Sequence, residues 1–456
     1  MTSGPGRQTS PLHVAIVGSG PAAFYAAGQL LAEPGVSATI DMFERLPTPW
    51  GLVRSGVAPD HPRIKSVSRV FEQTAARPGF RFHGNVEIGI DVSAERLAAA
   101  YHAVIYAVGA AADRPLEVPG EHLPGSHPAA EFVGWYNGHP DHAERSFDLS
   151  HRRAVVIGNG NVALDVARML AVAPKQLAVT DTADHALVAL HESAIEEIVV
   201  LGRRGPAQAA FTAAELSELA ACPDVDVVIH PADAAVDQPS GDGAGARANV
   251  ELVQELALRP PTGARRRVVL RFLASPQAIL GENRVDGLRI AHNRLVRSRS
   301  GALTAHETAR TEDLETGLVL RSIGYRGTPI PGVPFDVARG TIANDGGRVR
   351  GVVGAYTAGW IKRGASGIIG TNKRCARETV AALLEDHAAG CLAQPSVDPA
   401  ELLAALGETV DYDGWLAIDE HERARGRQQG RPRVKLVRRR DLLDRARRCN
   451  EGRSAA

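Results

Sequence analysis

The hydrophobic pattern opens on an unbroken run, Val14, Ala15, Ile16 and Val17, which breaks at once into Gly18, Ser19, Gly20 and Pro21, with an Ala-rich amphipathic stretch from Ala22. A short apolar run bounded by turn residues predicts a buried strand, and the stretch after it predicts a helix. Residues 39–43 predict the next strand, ended by Glu44, and residues 102–109 (HAVIYAVG) another that closes on glycine. The same order then recurs. Residues 154–163 (AVVIGNGNVA) give strand, glycine turn and helix a second time, with Gly158, Gly160 and Ala163 where the first pass has Gly18, Gly20 and Ala23. Its second strand, EEIVVLGRRG, ends in Arg203 and Arg204. The predicted class is therefore α/β, with two Rossmann-like dinucleotide-binding domains.

The chemistry of the turns follows from their residue types. The first glycine lets the chain reverse, the second removes the side chain that would block a pyrophosphate, and the small third residue lets helix and strand pack closely. The helix N-terminus then meets the diphosphate with free N–H groups and a partial positive charge. Glu44 stands where a carboxylate accepts hydrogen bonds from both hydroxyls of an adenosine ribose. Arg203 and Arg204 occupy the equivalent place in the second unit, where a guanidinium pair suits a ribose 2′-phosphate and favours NADP over NAD. A plainer reading of the pair is a solvated charged turn. Two dinucleotide sites in one chain place it to pass electrons between two nucleotides.

Between and beyond these units the chain is read more coarsely. A long loop after Glu44 carries Trp50, Arg54, His61, Arg63 and Lys65; a helical pattern covers 67–76; and FRFHGNVEIG pairs as a strand, with Val86 near an adenine. Residues 211–220 predict a helix with Glu215 and Glu218 on adjacent turns, 237–249 a low-complexity surface loop, and 266–294 antiparallel strands. LVLRSIG (318–324) is one more buried strand. Trp360 precedes the glycines Gly367 and Gly370, with a helix expected from Thr371 or Asn372 whose N-terminus faces the pyrimidine end of a flavin. The Arg-rich end, 423–448, is either a solvated face or a docking surface, with the solvated reading preferred.

Composition narrows the partners. The 456 residues suffice for two or three domains, and 52 Lys+Arg balance 52 Asp+Glu, which gives no whole-chain case for nucleic acid. No apolar run reaches transmembrane length, and the polar start lacks a signal-peptide core, so the chain is expected in the cytoplasm and off the membrane. Four scattered cysteines, Cys222, Cys375, Cys391 and Cys449, form no CxxC; a dithiol centre, a zinc knuckle and an iron–sulfur cluster within the chain are excluded, and no metal site is expected. A monomer is expected.

GSGPAAFYAA, ERLPTPWGLVRSGVAPDHPRIK, YAVGA, VIGNGNVALDVARML, GRRGPAQAAFT, RSIGYRG and GWIKRGASGIIGTNK, in that order, resemble NADPH–ferredoxin reductases of the adrenodoxin-reductase type. The resemblance runs from about residue 13 to 380, with PRVKL extending it. It implies an FAD domain interrupted by an NADP domain: residues 1–110 and 323–456 for FAD, the latter with a C-terminal helical and basic segment, and 111–322 for NADP. It implies FAD contacts at Ala22, Glu44, Leu52, Val86, Trp360, Gly367, Ile368 and Ile369. The implied NADP contacts are Arg114, Asn159, Gly160, Asn161, Val162, Arg203, Arg204, Glu215 and Gly367. The implied activity is ferredoxin–NADP+ reductase, with hydride passing from NADPH to FAD and single electrons to a ferredoxin. Such transfer needs no protein acid or base, so orientation dominates, and His61 and Glu218 are the candidate polar groups near the nicotinamide. A basic face of Arg54, Arg63, Lys65 and the tail would meet an acidic ferredoxin. The competing class is a non-catalytic FAD- and NADP-binding sensor.

Overall fold

The computed structural model describes residues 11–234, 243–299, 303–367 and 369–454, side chains of 449–454 excepted. Strands β1 (Leu12–Val17), β2 (Ala38–Glu44), β3 (Phe80–Gly84) and β4 (Ala103–Tyr106) pair in parallel in the spatial order 4-1-2-3. The late strand Ala355–Thr357 adds in parallel beside β4, so the last third of the chain completes the first sheet. The chain leaves that sheet through β5 (Ala112–Asp113). Strands β6 (Ser126–Pro128), β7 (Arg153–Ile157), β8 (Glu197–Leu201), β9 (Val225–Ile229) and β10 (Arg266–Arg271) then build a second sheet. An antiparallel layer of β11 (Ala274–Leu280), β12 (Gly287–Arg297) and β13 (Leu303–Glu315) follows, and β14 (Leu318–Arg321) returns to give the parallel order 6-14-7-8-10-9. Strand β15 (Tyr325–Arg326) leads back and pairs with β5, so the outgoing and returning connections form one ribbon.

The helices follow from the same patterning. Helix α1 (Pro21–Leu30) buries Ala22, Ala23, Ala26 and Ala27, which leave room for close packing, whereas α2 (Asn161–Ala171) buries bulkier Leu164, Met169 and Leu170 against the second sheet. Helix α3 (Ala213–Ala220) starts at Thr212, whose hydroxyl accepts the Glu215 N–H at 3.3 Å. Helix α4 (Ile369–Ala388) packs on α1; α5 (Tyr412–Gln428) and α6 (Arg439–Ser454) close the first half. Phe24 stacks on Phe71 at 4.9 Å, and Trp415 at the start of α5 meets Trp50 edge-on at 4.8 Å, so α5 enters the same core.

Four expectations change. VVLRFL is not antiparallel: β10 lies between β8 and β9, parallel to both, because a period-two pattern does not record strand direction. The segment expected as a loop over 237–249 already enters the helix Ala244–Ala257, anchored by buried Asn249, whose amide donates to Phe211 O at 3.0 Å; residues 235–242 lie outside the described residues. Helix α4 starts at Ile369, two residues before Thr371, and Ile368 lies outside the described residues. The basic end is solvated only in part: Arg427, Arg438, Arg439, Arg440, Arg447 and Arg448 are exposed, but buried Arg431 binds Thr180 O, Thr182 O and Asp184, and Arg433 binds Asp419 at 2.5 Å.

Candidate functional site

At the first turn Gly18 has φ +98°, and a Cβ there would lie 2.6 Å from Ala107 O, so only glycine lets the turn cross the end of β4. Gly20 opens on free space, and no side chain caps α1. Glu44 ends β2 against this turn. Its Oε2 accepts the Ser19 N–H and hydroxyl at 3.1 and 2.7 Å, and its Oε1 accepts the Leu46 N–H at 3.0 Å. Val86 is buried and donates its N–H to Glu44 O at 2.9 Å, while Leu52 is exposed beside the turn.

Trp50 packs against this turn. It sits at φ +84°, donates its N–H to Ser19 O at 3.0 Å, and the next residue, Gly51, would bring a Cβ within 3.0 Å of Gly20 Cα. A tryptophan held in the left-handed region marks a backbone shaped by its site. The Trp-Gly pair after the second strand was the available signal. From the other side Gly359, φ +78°, approaches Ala22 so closely that a Cβ would lie 2.7 Å from it. Trp360 stacks on Tyr325 at 5.8 Å and donates Nε1 to Ser366 O at 3.1 Å; Gly367 has φ +78° and Ile369 opens α4. Arg363 donates Nη2 to Asn372 Oδ1 at 3.0 Å and keeps Nε and Nη1 buried with no partner in the protein. An unsatisfied guanidinium near an uncapped helix start fits a diphosphate, as FAD carries.

The second turn repeats the first. Gly158 has φ +121°, and a Cβ there would lie 2.1 Å from Ser322 O, whereas Gly160 meets nothing nearer than Ala210 Cβ at 3.8 Å. No side chain caps α2. Asn159 O accepts the Phe211 N–H at 2.9 Å and Asn161 Oδ1 accepts the Thr212 N–H at 2.9 Å, while Val162 packs on the core. Arg203 is exposed at the end of β8, its carbonyl held by Asn293 at 2.8 Å; Arg204 donates Nη2 to Gln208 O at 3.5 Å. Arg114 is exposed on the connecting ribbon, tied by its N–H to Gly324 O at 3.2 Å. Open turn, uncapped helix and exposed arginines fit a dinucleotide carrying a 2′-phosphate.

The two halves meet at His61. Its Nε2 lies 3.3 Å from Glu218 Oε2 on α3, and its Nδ1 lies 3.9 Å from Asp165 Oδ1 on α2. Glu215 joins them, one ligand atom from each of His61, Glu215 and Glu218 lying within 4.8 Å of the others. Burial, reinforced by the Asp165 charge, raises the Glu215 carboxyl, and its Oε2 is buried without a partner. The expected basic face is corrected. Arg54 is buried, donating to both Glu422 oxygens at 2.8 and 2.7 Å, and Lys65 binds Asp181 at 2.7 and 2.9 Å; sequence shows a charge but not its distant partner. Arg63, Arg438 and Arg440 remain exposed.

Two parallel dinucleotide folds meeting at a polar cluster define, as a class, a pyridine-nucleotide-dependent flavoprotein oxidoreductase. The profile of the Pyridine nucleotide-disulphide oxidoreductase family matches residues 12–200. The likeness concerns the nucleotide folds, because Cys222, Cys375 and Cys391 are free thiols. The chain is 50% identical over 444 residues to NADPH-ferredoxin reductase FprA of Mycobacterium leprae, covering 94% of this chain and 97% of that one. It is 42% identical over 444 residues to mitochondrial NADPH:adrenodoxin oxidoreductase of Salvelinus fontinalis, covering 93% and 89%. The solved structure of Mycobacterium tuberculosis FprA in complex with NADPH superposes with a TM-score of 0.92 at 50% identity, over 96% of this chain and all of that one (100%). The chain belongs to the NADPH–ferredoxin reductase family.

Proposed function

We propose that this chain is a ferredoxin–NADP+ reductase that carries electrons reversibly between NADPH and a ferredoxin-type iron–sulfur protein by way of FAD. The observation that carries the reading is the contrast between the two turns: Glu44 at the first, Arg203 and Arg204 at the second, with both helix starts uncapped. When bound, FAD takes two electrons as hydride and releases them singly, which joins a nicotinamide to a one-electron acceptor. Residues 1–110 and 323–456 hold FAD, and residues 111–322 hold NADP. Gly18, Gly20 and Ala22 receive the flavin diphosphate with Arg363; Glu44 accepts its ribose hydroxyls; Leu52, Val86, Trp360, Gly367 and Ile369 wall its length. Asn159, Gly160, Asn161 and Val162 receive the NADP diphosphate, and Arg114, Arg203 and Arg204 its phosphate-bearing ribose.

At the meeting point the protein's task is orientation. Glu215 and Glu218 would accept from the nicotinamide amide, and His61, 3.3 Å from Glu218 and 3.9 Å from Asp165, would help to orient the nicotinamide. Arg63, Arg438, Arg439, Arg440 and Arg448 are among the exposed cations that would steer an acidic ferredoxin. The molecule acts as a monomer in the cytoplasm, on neither nucleic acid nor membrane; among the described residues no helix is long and apolar enough to cross one.

The test is anaerobic titration of the FAD-loaded protein. NADPH bleaches the flavin near one equivalent and NADH is much weaker; Arg203→Ala raises the half-saturating NADPH concentration roughly 10- to 100-fold and leaves NADH unchanged. A flavin that NADPH leaves oxidised returns the chain to the sensor class. Added ferredoxin accelerates cytochrome c reduction, less so as salt rises.

A further inference from the structure

Arg168 lies inside α2, where its neighbours Val166, Ala167, Met169 and Leu170 are fully buried, and it is itself only 2% exposed. A guanidinium in such a place is costly unless its donors are met. Nε donates to Asp60 Oδ2 at 2.7 Å, and Nη2 donates to Asp60 Oδ1 at 3.1 Å and to Asp165 Oδ1 at 2.6 Å. Nη1 is buried without a partner, so Nε and Nη2 alone carry the contacts to these two carboxylates. Asp60 comes from the long loop of the first half and immediately precedes His61; Asp165 comes from α2 of the second half and stands 3.9 Å from His61 Nδ1. Arg168 therefore ties the two halves together one residue from the histidine at which they meet.

We propose that Arg168 is a positioning residue for hydride transfer: it clamps Asp60 to α2, holds His61 between Asp165 and Glu218, and so sets the flavin loop of the first half against the nicotinamide end of the second. The assignment rests on the reductase reading above. Four carboxylates face His61 from three elements, namely Asp60 on its own loop, Asp165 on α2, and Glu215 and Glu218 on α3; Arg168 is the cation bonded to two of them. Burial alone would raise the Asp60 carboxyl, yet the Arg168 hydrogen bonds and charge hold it below its ordinary range. Lysine cannot reproduce the arrangement, because a point charge does not grip two carboxylates in a fixed plane.

The experiment compares FAD-loaded wild type, Arg168→Lys and Arg168→Met, with flavin content measured first. Mixed anaerobically with NADPH, the Met variant binds FAD and is reduced, but roughly 10- to 100-fold more slowly, as a displacement of about 1 Å in the reacting pair produces. Half-saturation shifts less than about threefold, since uniform binding is untouched. The long-wavelength charge-transfer absorbance of the nicotinamide–flavin pair weakens in step, and Lys recovers only part of rate and band. Lowered thermal stability with rate per flavin and charge-transfer band intact would assign Arg168 to structure alone and overturn the proposal. A wild type that NADPH cannot reduce would instead sink the reductase reading. Should the Met variant fail to fold, Asp60→Asn, at the more open end of the clamp, must give the same slow, band-poor reduction.

Discussion

Asp113 carries a pH dependence that belongs to one side chain. It sits in β5 of the connecting ribbon, next to Arg114, and burial raises its carboxyl from 3.8 to about 6 against the pull of Arg321, whose Nε is 3.5 Å away. A folded pKa above the unfolded one means that the folded chain binds the proton more tightly. The associated stability is therefore fully present below pH 3.8 and lost as pH rises through about 6. Arg321 does not depend on Asp113, because its Nη1 also donates to Glu121 O at 2.7 Å and Ser126 Oγ at 2.9 Å. Asp113→Asn is expected to stabilise the protein at pH 8 by about 1 kcal/mol, allowing for solvent screening of a partly open group. Thermal melts of both proteins across pH 5–8 check this: the gap should close on the acid side, and a gap independent of pH would contradict it.

At the scale of elements, the glycine turns separate folding from binding. Gly158 and Gly160 lie two residues apart in one turn, yet a Cβ at Gly158 strikes Ser322 O at 2.1 Å with φ at +121°, while one at Gly160 points into open space at φ −92°. Gly158→Ala should cost on the order of 3 kcal/mol, visible as a lower urea midpoint. Gly160→Ala should cost about 1 kcal/mol or less, as an N-cap change, but on the proposed function should weaken NADPH binding at least ~10-fold, because its methyl would stand where the pyrophosphate is proposed to pass. The turns were legible in sequence because their chemistry is local: glycine spacing, a strand before, a helix after. Glu44, Arg203 and Arg204 were legible because each falls at the end of a predicted strand. The direction of β10 and the helix inside 237–249 were not, since a period-two run carries no direction and a Gly- and Ala-rich stretch resembles a loop. Arg168 and Arg363 escaped for a different reason. Their meaning lies in partners far along the chain or in donors left without one, which no local pattern records.

The whole molecule is held by a buried ionic network that threads the C-terminal segment between the halves. Glu422, fully buried on α5, takes two hydrogen bonds from Arg54, one from Arg433 at 3.2 Å and one from the Leu436 N–H at 2.8 Å. Arg54 also lies 5.2 Å over the Trp415 ring, and Lys435 reaches across to Asn137 O at 2.9 Å and Asp181 at 3.2 Å in the second half. Part of the tail that reads as surface charge, Arg431, Arg433 and Lys435, is thus an internal strap, while Arg438, Arg439 and Arg440 stay exposed. Burial would raise the Glu422 carboxyl, but Arg54, by charge and hydrogen bonds, and the Arg433 charge outweigh it and hold the group below its ordinary value. Its stability is present above the unfolded carboxylate range and is lost as pH falls through the folded value. Replacing such a group removes the partner of two interior guanidiniums, which costs more than the pair contributed, whereas removing both charges is far milder. Glu422→Gln is therefore expected to lose about 3–5 kcal/mol in urea unfolding and to show a shallower acid dependence than wild type. The double variant Arg54→Met with Glu422→Gln should recover part of that loss, a coupling that a double-mutant cycle reads directly. If the two single losses simply add, Arg54 and Glu422 act independently, and the strap is held by packing around Trp415 instead of by the ion pair.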